Sequence, residues 1–335
     1  MTPDPTRATP KSTPSARIVR GVVSAGLLGF LLWRADLSGI VARLAGVHAG
    51  SLLAACVLLH VDRMLQAWKW RGLLLSSGTP IRLRDAIANT YMGNFAGQFL
   101  PSGVGGDVAR VFLLRKMRLP TDEVVASIAM ERVVGFCALL ATASVAVLVG
   151  AFLDAPAPEG LPGGILVVSA IAAAGAVTSL SPRFESITTR LSRPLERFRL
   201  RALADSLIRA YRRYAGRKRA VTVYFFLSIV EVAAMTLVTH VACLSLSLKV
   251  GLVPLLLIVP VTLVSMRIPV SVNGLGVREG VLVFTLGALG HSAEAALALS
   301  VTMRFLDLGV SAIGGLLFWT QRGEQDRPPS QEHPR

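Results

Sequence analysis

Residues 94–116 read NFAGQFLPSGVGGDVARVFLLRK. Within residues 101–110, three glycines, a proline, an aspartate and an arginine interrupt a chain that is strongly apolar on both sides. Irregular backbone at membrane depth is tolerated only where it is buried in protein or lines a polar cavity. If the surrounding chain spans a membrane, this stretch predicts two helical arms joined by a break at residues 101–110.

The composition of the 335-residue chain is typical of a membrane protein. Hydrophobic residues make up 53% of the chain and charged residues 16%, whereas a soluble domain carries roughly 25% charged residues. The net charge is +15. Because the basic residues lie between apolar blocks, they indicate membrane topology, and no nucleic-acid partner is expected. The three cysteines lie in apolar stretches without metal-ligand spacing, and no metal or cofactor is expected.

Six apolar segments approach the length of about 20 residues that a membrane-crossing helix needs. Two further segments, residues 86–116 and 252–290, are apolar but broken by glycine, proline and charge. We therefore predict an all-α polytopic membrane protein with about six full crossings and two re-entrant hairpins, eight apolar segments in all. The predicted crossings are residues 18–33, 48–61, 124–153, 161–181, 220–248 and 293–320.

Loop charge predicts the orientation of these crossings. Residues 183–219 hold twelve Lys or Arg against three Asp or Glu, and basic loops of membrane proteins lie preferentially in the cytoplasm. Residues 154–160 carry no Lys or Arg and should lie outside. Both termini are then cytoplasmic, and we expect a multi-pass protein of the inner membrane. The basic loop is expected to contact anionic lipid or a cytoplasmic protein.

The predicted domain layout follows from these segments. Residues 1–17, rich in Pro, Thr and Ser, and residues 321–335 are expected to be disordered cytoplasmic tails. The transmembrane domain covers residues 18–320, and its basic loop is bounded at residues 182–219.

The two broken segments resemble each other, since a proline precedes an arginine by nine residues in both. This indicates a duplication, with repeat A at about residues 18–153 and repeat B at about 161–320. Each repeat holds three crossings, so the second copy inserts upside down, as in secondary transporters with inverted repeats. Similar composition alone is the alternative explanation. The matched pairs are Pro101 with Pro269, Gly106 with Gly274, Arg110 with Arg278 and, after a four-residue gap, Arg132 with Arg304.

Four clusters of charged residues lie within or beside the apolar segments. A charge inside the bilayer is costly, so such residues tend to face a cavity and to pair. Arginine can hold a phosphate through two parallel hydrogen bonds, which favours an amphiphile with an anionic or zwitterionic head group as the substrate. The alternative is that the clusters are salt bridges that fix helix packing. The candidate substrate-binding or translocation residues are Asp107, Arg110, Glu131, Arg132, Asn273, Arg278, Glu279, Arg304 and Asp307; the candidate turn residues are Pro101, Gly105, Gly106, Pro269, Gly274 and Gly276.

Other charged and aromatic residues are predicted to be interfacial. Trp68 and Trp70, beside basic neighbours, fit an aromatic belt at the membrane surface. The residues His60, Asp62 and Arg63, at the end of the second predicted crossing, are expected near the same surface.

Catalytic motifs are missing from the sequence. It contains no His-Glu-x-x-His and no Gly-x-Ser-x-Gly, so no enzymatic activity is predicted. An unfamiliar acid/base pair that uses Glu131 or Glu279 stays open as an alternative. No phosphate-binding loop with Gly-Lys-Ser/Thr follows the glycines, so transport would be downhill or coupled to an ion or proton gradient.

The segments FLPSGVGGDVAR, AMERVVG, RIPVSVNGLGVREG and MRFLD occur in this order. Together they resemble the lysylphosphatidylglycerol synthase transmembrane-region family, also called flippase-like, over about residues 18–320. In the best-known members this region moves an aminoacylated phosphatidylglycerol between leaflets and is fused to a soluble aminoacyl-transferase domain. The resemblance implies a stand-alone lipid or lipid-linked head-group translocase that works without ATP and lacks that domain. The competing hypothesis is a non-transporting membrane partner that anchors or regulates a lipid- or glycolipid-modifying enzyme.

Overall fold

The computed structural model describes residues 14–99, 105–179, 213–214, 216–267, 271 and 274–325. Within these ranges the chain forms eleven helices and no β-strand. The helices are α1 (Pro14–Arg34), α2 (Leu37–Ala45), α3 (Ala49–Ser76), α4 (Leu83–Phe99), α5 (Gly105–Lys116), α6 (Thr121–Phe152), α7 (Leu161–Ser179), α8 (Lys218–Ser245), α9 (Leu252–Arg267), α10 (Val277–Gly287) and α11 (Ala293–Gln325). Several predicted features lie outside the described residues: Pro101, Pro269, Asn273, most of the basic loop, and residues 1–13 and 326–335 of the predicted tails.

Several of these helices are suited to a bilayer. The helices α6 and α8 and the stretch Ala293–Thr320 of α11 are each long and apolar enough to span a membrane. The helices α7 and α9 contain shorter apolar stretches. The helices α1 and α2 meet at 85°, and the Asp36 carboxylate at this bend accepts a hydrogen bond from the backbone N–H of Ser38 (2.9 Å). The architecture is that of a polytopic helical membrane protein, for which six crossings stay a prediction.

Helix α3 extends well beyond the crossing predicted at residues 48–61, since it continues to Ser76. The second half of the helix carries Asp62 and Lys69, which break the apolar pattern in the sequence but are buried in the structure. Both have partners on neighbouring side chains, so the helix continues through the interior despite its charges. The sequence pattern therefore predicted too short a helix.

Both broken segments form helical hairpins. The arms α4 and α5 pack against each other around a break after Phe99, and α9 packs against α10 around a break after Arg267. Gly274 and Gly276 lie in the second turn with positive φ angles of 71° and 82°, a conformation that glycine adopts without steric cost.

The prediction for the glycines of the first hairpin was wrong. Gly105 and Gly106 were expected in the turn, but they are the first two residues of helix α5. A Cβ added to Gly106 would lie 2.7 Å from the carbonyl oxygen of Gly93 on α4. Gly106 is therefore needed for the close approach of the two arms and not for the turn.

The helix contacts form matched sets in the two parts of the chain, here called the first half (α3–α6) and the second half (α8–α11). Helix α3 packs against α8 between the halves. The hairpin arm α4 packs against α11, and the corresponding arm α9 packs against α6. Within each half, the second hairpin arm packs against the long helix that follows it, α5 on α6 and α10 on α11. The first hairpin arm of each half thus packs against the last helix of the other half.

The contact between α4 and α11 is unusually close. A Cβ added to Gly314 would overlap the carbonyl group of Tyr91, and one added to Gly315 would lie 2.8 Å from the Phe95 ring. Small residues at such contacts let helix backbones approach closely, which strengthens the van der Waals packing between helices in lipid. This contact fixes the first hairpin against the second half.

Candidate functional site

Four predicted site residues come together between α5 and α6 and form the first charged cluster: Asp107, Arg110, Glu131 and Arg132. Arg110 Nη1 donates to Glu131 Oε2 (2.9 Å) and lies 3.8 Å from Asp107 Oδ1. Arg132 donates to Asp107 Oδ2 through Nε (3.0 Å) and Nη2 (2.7 Å). Two cations and two carboxylates thus alternate along one line of contacts, Glu131 to Arg110 to Asp107 to Arg132.

Arg110 is the most buried member of this cluster. Its side chain is 9% exposed, whereas that of Arg132 is 43% exposed. The Arg110 guanidinium lies 4.3 Å from the centre of the Trp70 ring, and Trp70 is held by a hydrogen bond from its Nε1 to Ser127 Oγ (3.2 Å). The Nε and Nη2 atoms of Arg110 are buried and have no hydrogen-bond partner among the described residues. The cluster therefore connects the accessible Arg132 to the buried Arg110, whose Nε and Nη2 groups could bind a further acceptor.

The second charged cluster lies between α10, α11 and α3. The carboxylate of Asp307 is 3.5 Å from Arg278 Nη1 and 3.3 Å from Arg63 Nη2. Arg63 is also 3.6 Å from the neighbouring Asp62. Arg304 lies on α11, three residues before Asp307. This cluster joins the two halves of the molecule, because Arg63 belongs to the first half and Asp307 to the second.

Glu279 has a mainly structural set of contacts. Its Oε2 accepts a hydrogen bond from the backbone N–H of Gly276 (2.7 Å), and its Oε1 accepts one from Ser300 Oγ (2.9 Å). An acidic side chain at this position satisfies a free N–H at the start of a helix. Glu279 therefore caps α10 and ties it to α11.

A third group of charges links α3 and α8, and sequence reasoning missed it. The buried Lys69 forms an ion pair with Glu231 and donates to Ser228 Oγ (2.8 Å). Gln66 Nε2 donates to the second oxygen of Glu231 (3.4 Å). A signal was present, because Glu231 is the only Asp, Glu, Lys or Arg between residues 220 and 248. We call Lys69 and Glu231 the interhelix pair.

These clusters lie in a region that matches a known family. The family model described as Lysylphosphatidylglycerol synthase TM region matches residues 17–315. The chain belongs to this family. No curated protein matches the chain. The match covers both hairpins, both charged clusters and the interhelix pair, and with the apolar helices it supports a multi-pass membrane protein.

The burial of Trp70 contradicts one interfacial prediction for this family member. Trp70 is fully buried beneath Arg110, whereas Trp68 is 49% exposed. Asp62 is buried beside Arg63, and His60 Nδ1 lies 2.8 Å from the Tyr91 hydroxyl. Adjacent residues of a helix point in different directions, so Trp68 and Trp70 do not share one environment.

Among the described residues, no three His, Cys, Asp or Glu side chains are grouped so that they could hold a metal ion. The charged side chains of the clusters offer hydrogen bonding and charge pairing. Guanidinium groups can bind an anionic group and carboxylates can bind a cationic one.

Proposed function

We propose that this protein moves a lipid or lipid-linked head group between the leaflets of the inner membrane, without ATP and with both termini in the cytoplasm. The observation that carries the proposal is the pairing of a buried arginine with a carboxylate at both hairpins. Arg110 pairs with Glu131, and Arg278 pairs with Asp307. Membership of the family supports a role connected with membrane lipids.

The proposed chemistry is an exchange of ionic partners. A phosphate that replaces a carboxylate beside Arg110 keeps the guanidinium paired, which avoids the cost of leaving a buried charge alone. The Nε and Nη2 groups of Arg110, which have no hydrogen-bond partner among the described residues, supply further donors. The released carboxylate, Glu131, can meet a cationic part of the head group. The acyl chains stay in the surrounding lipid throughout.

The matched helix contacts support an alternating mechanism. Each half places its hairpin arm against the last long helix of the other half. In transporters with inverted repeats, movement of one repeat against the other exposes a central site to either side. In our proposal the two charged clusters face such a site in turn. Transport is downhill or is driven by an ion or proton gradient.

The test is transport in liposomes that contain the purified protein. Labelled lipids from a broad panel are incorporated in one leaflet, and their appearance in the other leaflet is measured against protein-free vesicles. The variants Glu131→Gln and Arg278→Gln should lower the rate at least tenfold. The control variants Glu159→Gln and Arg82→Gln alter exposed residues outside the clusters and should keep the rate. An unchanged leaflet distribution over the whole panel would overturn the proposal.

The same variants distinguish this proposal from the competing hypothesis of a membrane anchor for another enzyme. In that case Glu131→Gln and Arg278→Gln would be mild in cells, while charge reversal in the basic loop at residues 209–219 would be severe.

A further inference from the structure

A cavity of about 570 Å³ lies between the end of α3 and the start of α8, and its described lining includes no residue of the two charged clusters. Its described lining includes Lys69 and Arg71 from α3 and the consecutive residues Arg217, Lys218 and Arg219 where α8 begins. None of the thirteen described lining residues is acidic. The cavity thus concentrates five cationic side chains, which favours a ligand with negative charge.

Two of the basic side chains of the cavity are held by hydrogen bonds to backbone carbonyls. Arg71 Nε donates to the carbonyl oxygen of Ile81 (2.9 Å), and Arg217 Nη1 donates to that of Arg213 (3.0 Å). Arg217 also lies 5.6 Å from the centre of the Tyr214 ring. Tyr214 is itself buried and donates a hydrogen bond from its hydroxyl to the carbonyl oxygen of Leu73 (3.3 Å).

The remaining wall of the cavity is apolar and faces outward. Trp68, Val223 and Leu227 lie along it, and Trp68 and Val223 are each about half exposed. A free inorganic ion gains nothing from such a wall, whereas the upper part of an acyl chain can pack against it. Basic residues beside an apolar wall, at the end of two long helices, match the chemistry of a lipid with an anionic head group.

We propose that this cavity binds the phosphate head group of an anionic membrane lipid, with its glycerol and first acyl carbons against Trp68 and Val223. Lys69 lines the cavity and also forms the interhelix pair with Glu231. A bound phosphate therefore competes with Glu231 for Lys69. Lipid binding is then coupled to the ion pair that joins the two halves. The inference rests on the cavity and not on the proposed transport.

The test is lipid binding by native mass spectrometry of the purified protein in a neutral detergent. Phosphatidylglycerol is titrated against phosphatidylcholine with the same acyl chains, and inorganic phosphate is added as a competitor. Lys218→Gln/Arg219→Gln should weaken binding of phosphatidylglycerol roughly 30-fold, since each basic residue near a membrane surface contributes about 1 kcal/mol. Arg82→Gln/Arg84→Gln removes the same charge from exposed positions outside the cavity and should change binding less than threefold.

A second variant probes the inner end of the cavity. Glu231→Gln leaves the lipid phosphate as the anionic partner of Lys69, so phosphatidylglycerol should bind several-fold more tightly. Equal weakening by the two double variants would overturn the proposal in favour of diffuse charge attraction. Full displacement by millimolar phosphate would overturn the assignment to a lipid, and unchanged affinity in Glu231→Gln would overturn the role of Lys69. Because binding is measured and not transport, a failed transport assay leaves this result standing.

Discussion

In the first hairpin, glycines inside the helices hold α4 and α5 together, whereas in the second hairpin the glycines lie in the turn that joins α9 and α10. A Cβ at Gly93 would lie 2.5 Å from the Arg110 side chain, and one at Gly106 would meet the Gly93 carbonyl. Gly274 and Gly276 instead adopt positive φ angles. In the first hairpin glycine thus permits the close approach of two helices, whereas in the second it permits a positive-φ turn, where an added Cβ would also meet side chains.

The arginines of the two hairpins differ in which half of the molecule supplies their partners. Arg110 pairs with residues of its own half and lies over Trp70. Arg278 shares Asp307 with Arg63 of the other half. The first cluster is therefore a local unit, and the second is a link between halves. Four pairs of substitutions test this comparison.

The largest effect is expected at the buried arginines. Arg110→Met leaves the carboxylate of Glu131 buried without the cation now 2.9 Å away, and removal of one partner of a buried pair costs about 3–5 kcal/mol. Arg278→Met should cost roughly half as much, because Asp307 keeps Arg63 at 3.3 Å. The free energy of unfolding in mixed micelles measures both, and equal losses would contradict the distinction between a local and a shared pair.

The next effect concerns the way each hairpin meets the opposite half. Gly314→Ala places a Cβ against the Tyr91 backbone, and overpacking of this kind costs about 1–3 kcal/mol. Gly135→Ala on α6 is the matched variant, since its nearest neighbour is the Arg267 side chain at 3.7 Å. Thermal unfolding should show a clear decrease in Tm for Gly314→Ala and little change for Gly135→Ala. A similar Tm for both would mean that α4 and α11 can separate without cost.

A smaller loss is expected within the first hairpin. Gly106→Ala forces α5 away from the Gly93 carbonyl, with a cost of about 1–2 kcal/mol. The control is Gly97→Ala on the same contact, where a Cβ would have its nearest neighbour at 3.6 Å. That variant should be neutral or stabilising by up to about 1 kcal/mol, because alanine favours a helix more than glycine does. If Gly106→Ala were equally harmless, the close approach of the arms would not depend on glycine.

The smallest effect is expected in the difference between two positive-φ glycine variants, one in the second turn and one after α10. Gly276→Ala forces an L side chain into a positive-φ conformation, which costs about 1–2 kcal/mol, and adds a contact at 2.5 Å with the Leu27 side chain. Gly290→Ala has a φ angle of 82° as well, but no atom lies within 4 Å of its added Cβ. Its loss of stability therefore measures the backbone cost alone. The difference in unfolding free energy between the two variants gives the cost of crowding α1, and a zero difference would show that α1 moves freely.

Much of this protein could be predicted from local sequence pattern. The low share of charged residues indicated a membrane protein, and Gly and Pro in apolar segments located both helix breaks. The order of the motifs identified the family, which the match over residues 17–315 confirmed. These features depend on the hydrophobicity of short segments. That property can be read from the sequence without knowing which helices pack together.

Only the tertiary structure decided which side chains meet. The ion pair of Lys69 with Glu231 and that of Arg63 with Asp307 join residues more than 150 positions apart. Helix periodicity assigns a residue to one face of its own helix but does not say which helix packs against that face. For the same reason Trp70 was expected at the surface and is buried, and Gly106 was expected in a turn and lies in a helix. The sequence determined where the chain breaks and where its charges lie, and packing between helices determined what those breaks and charges contact.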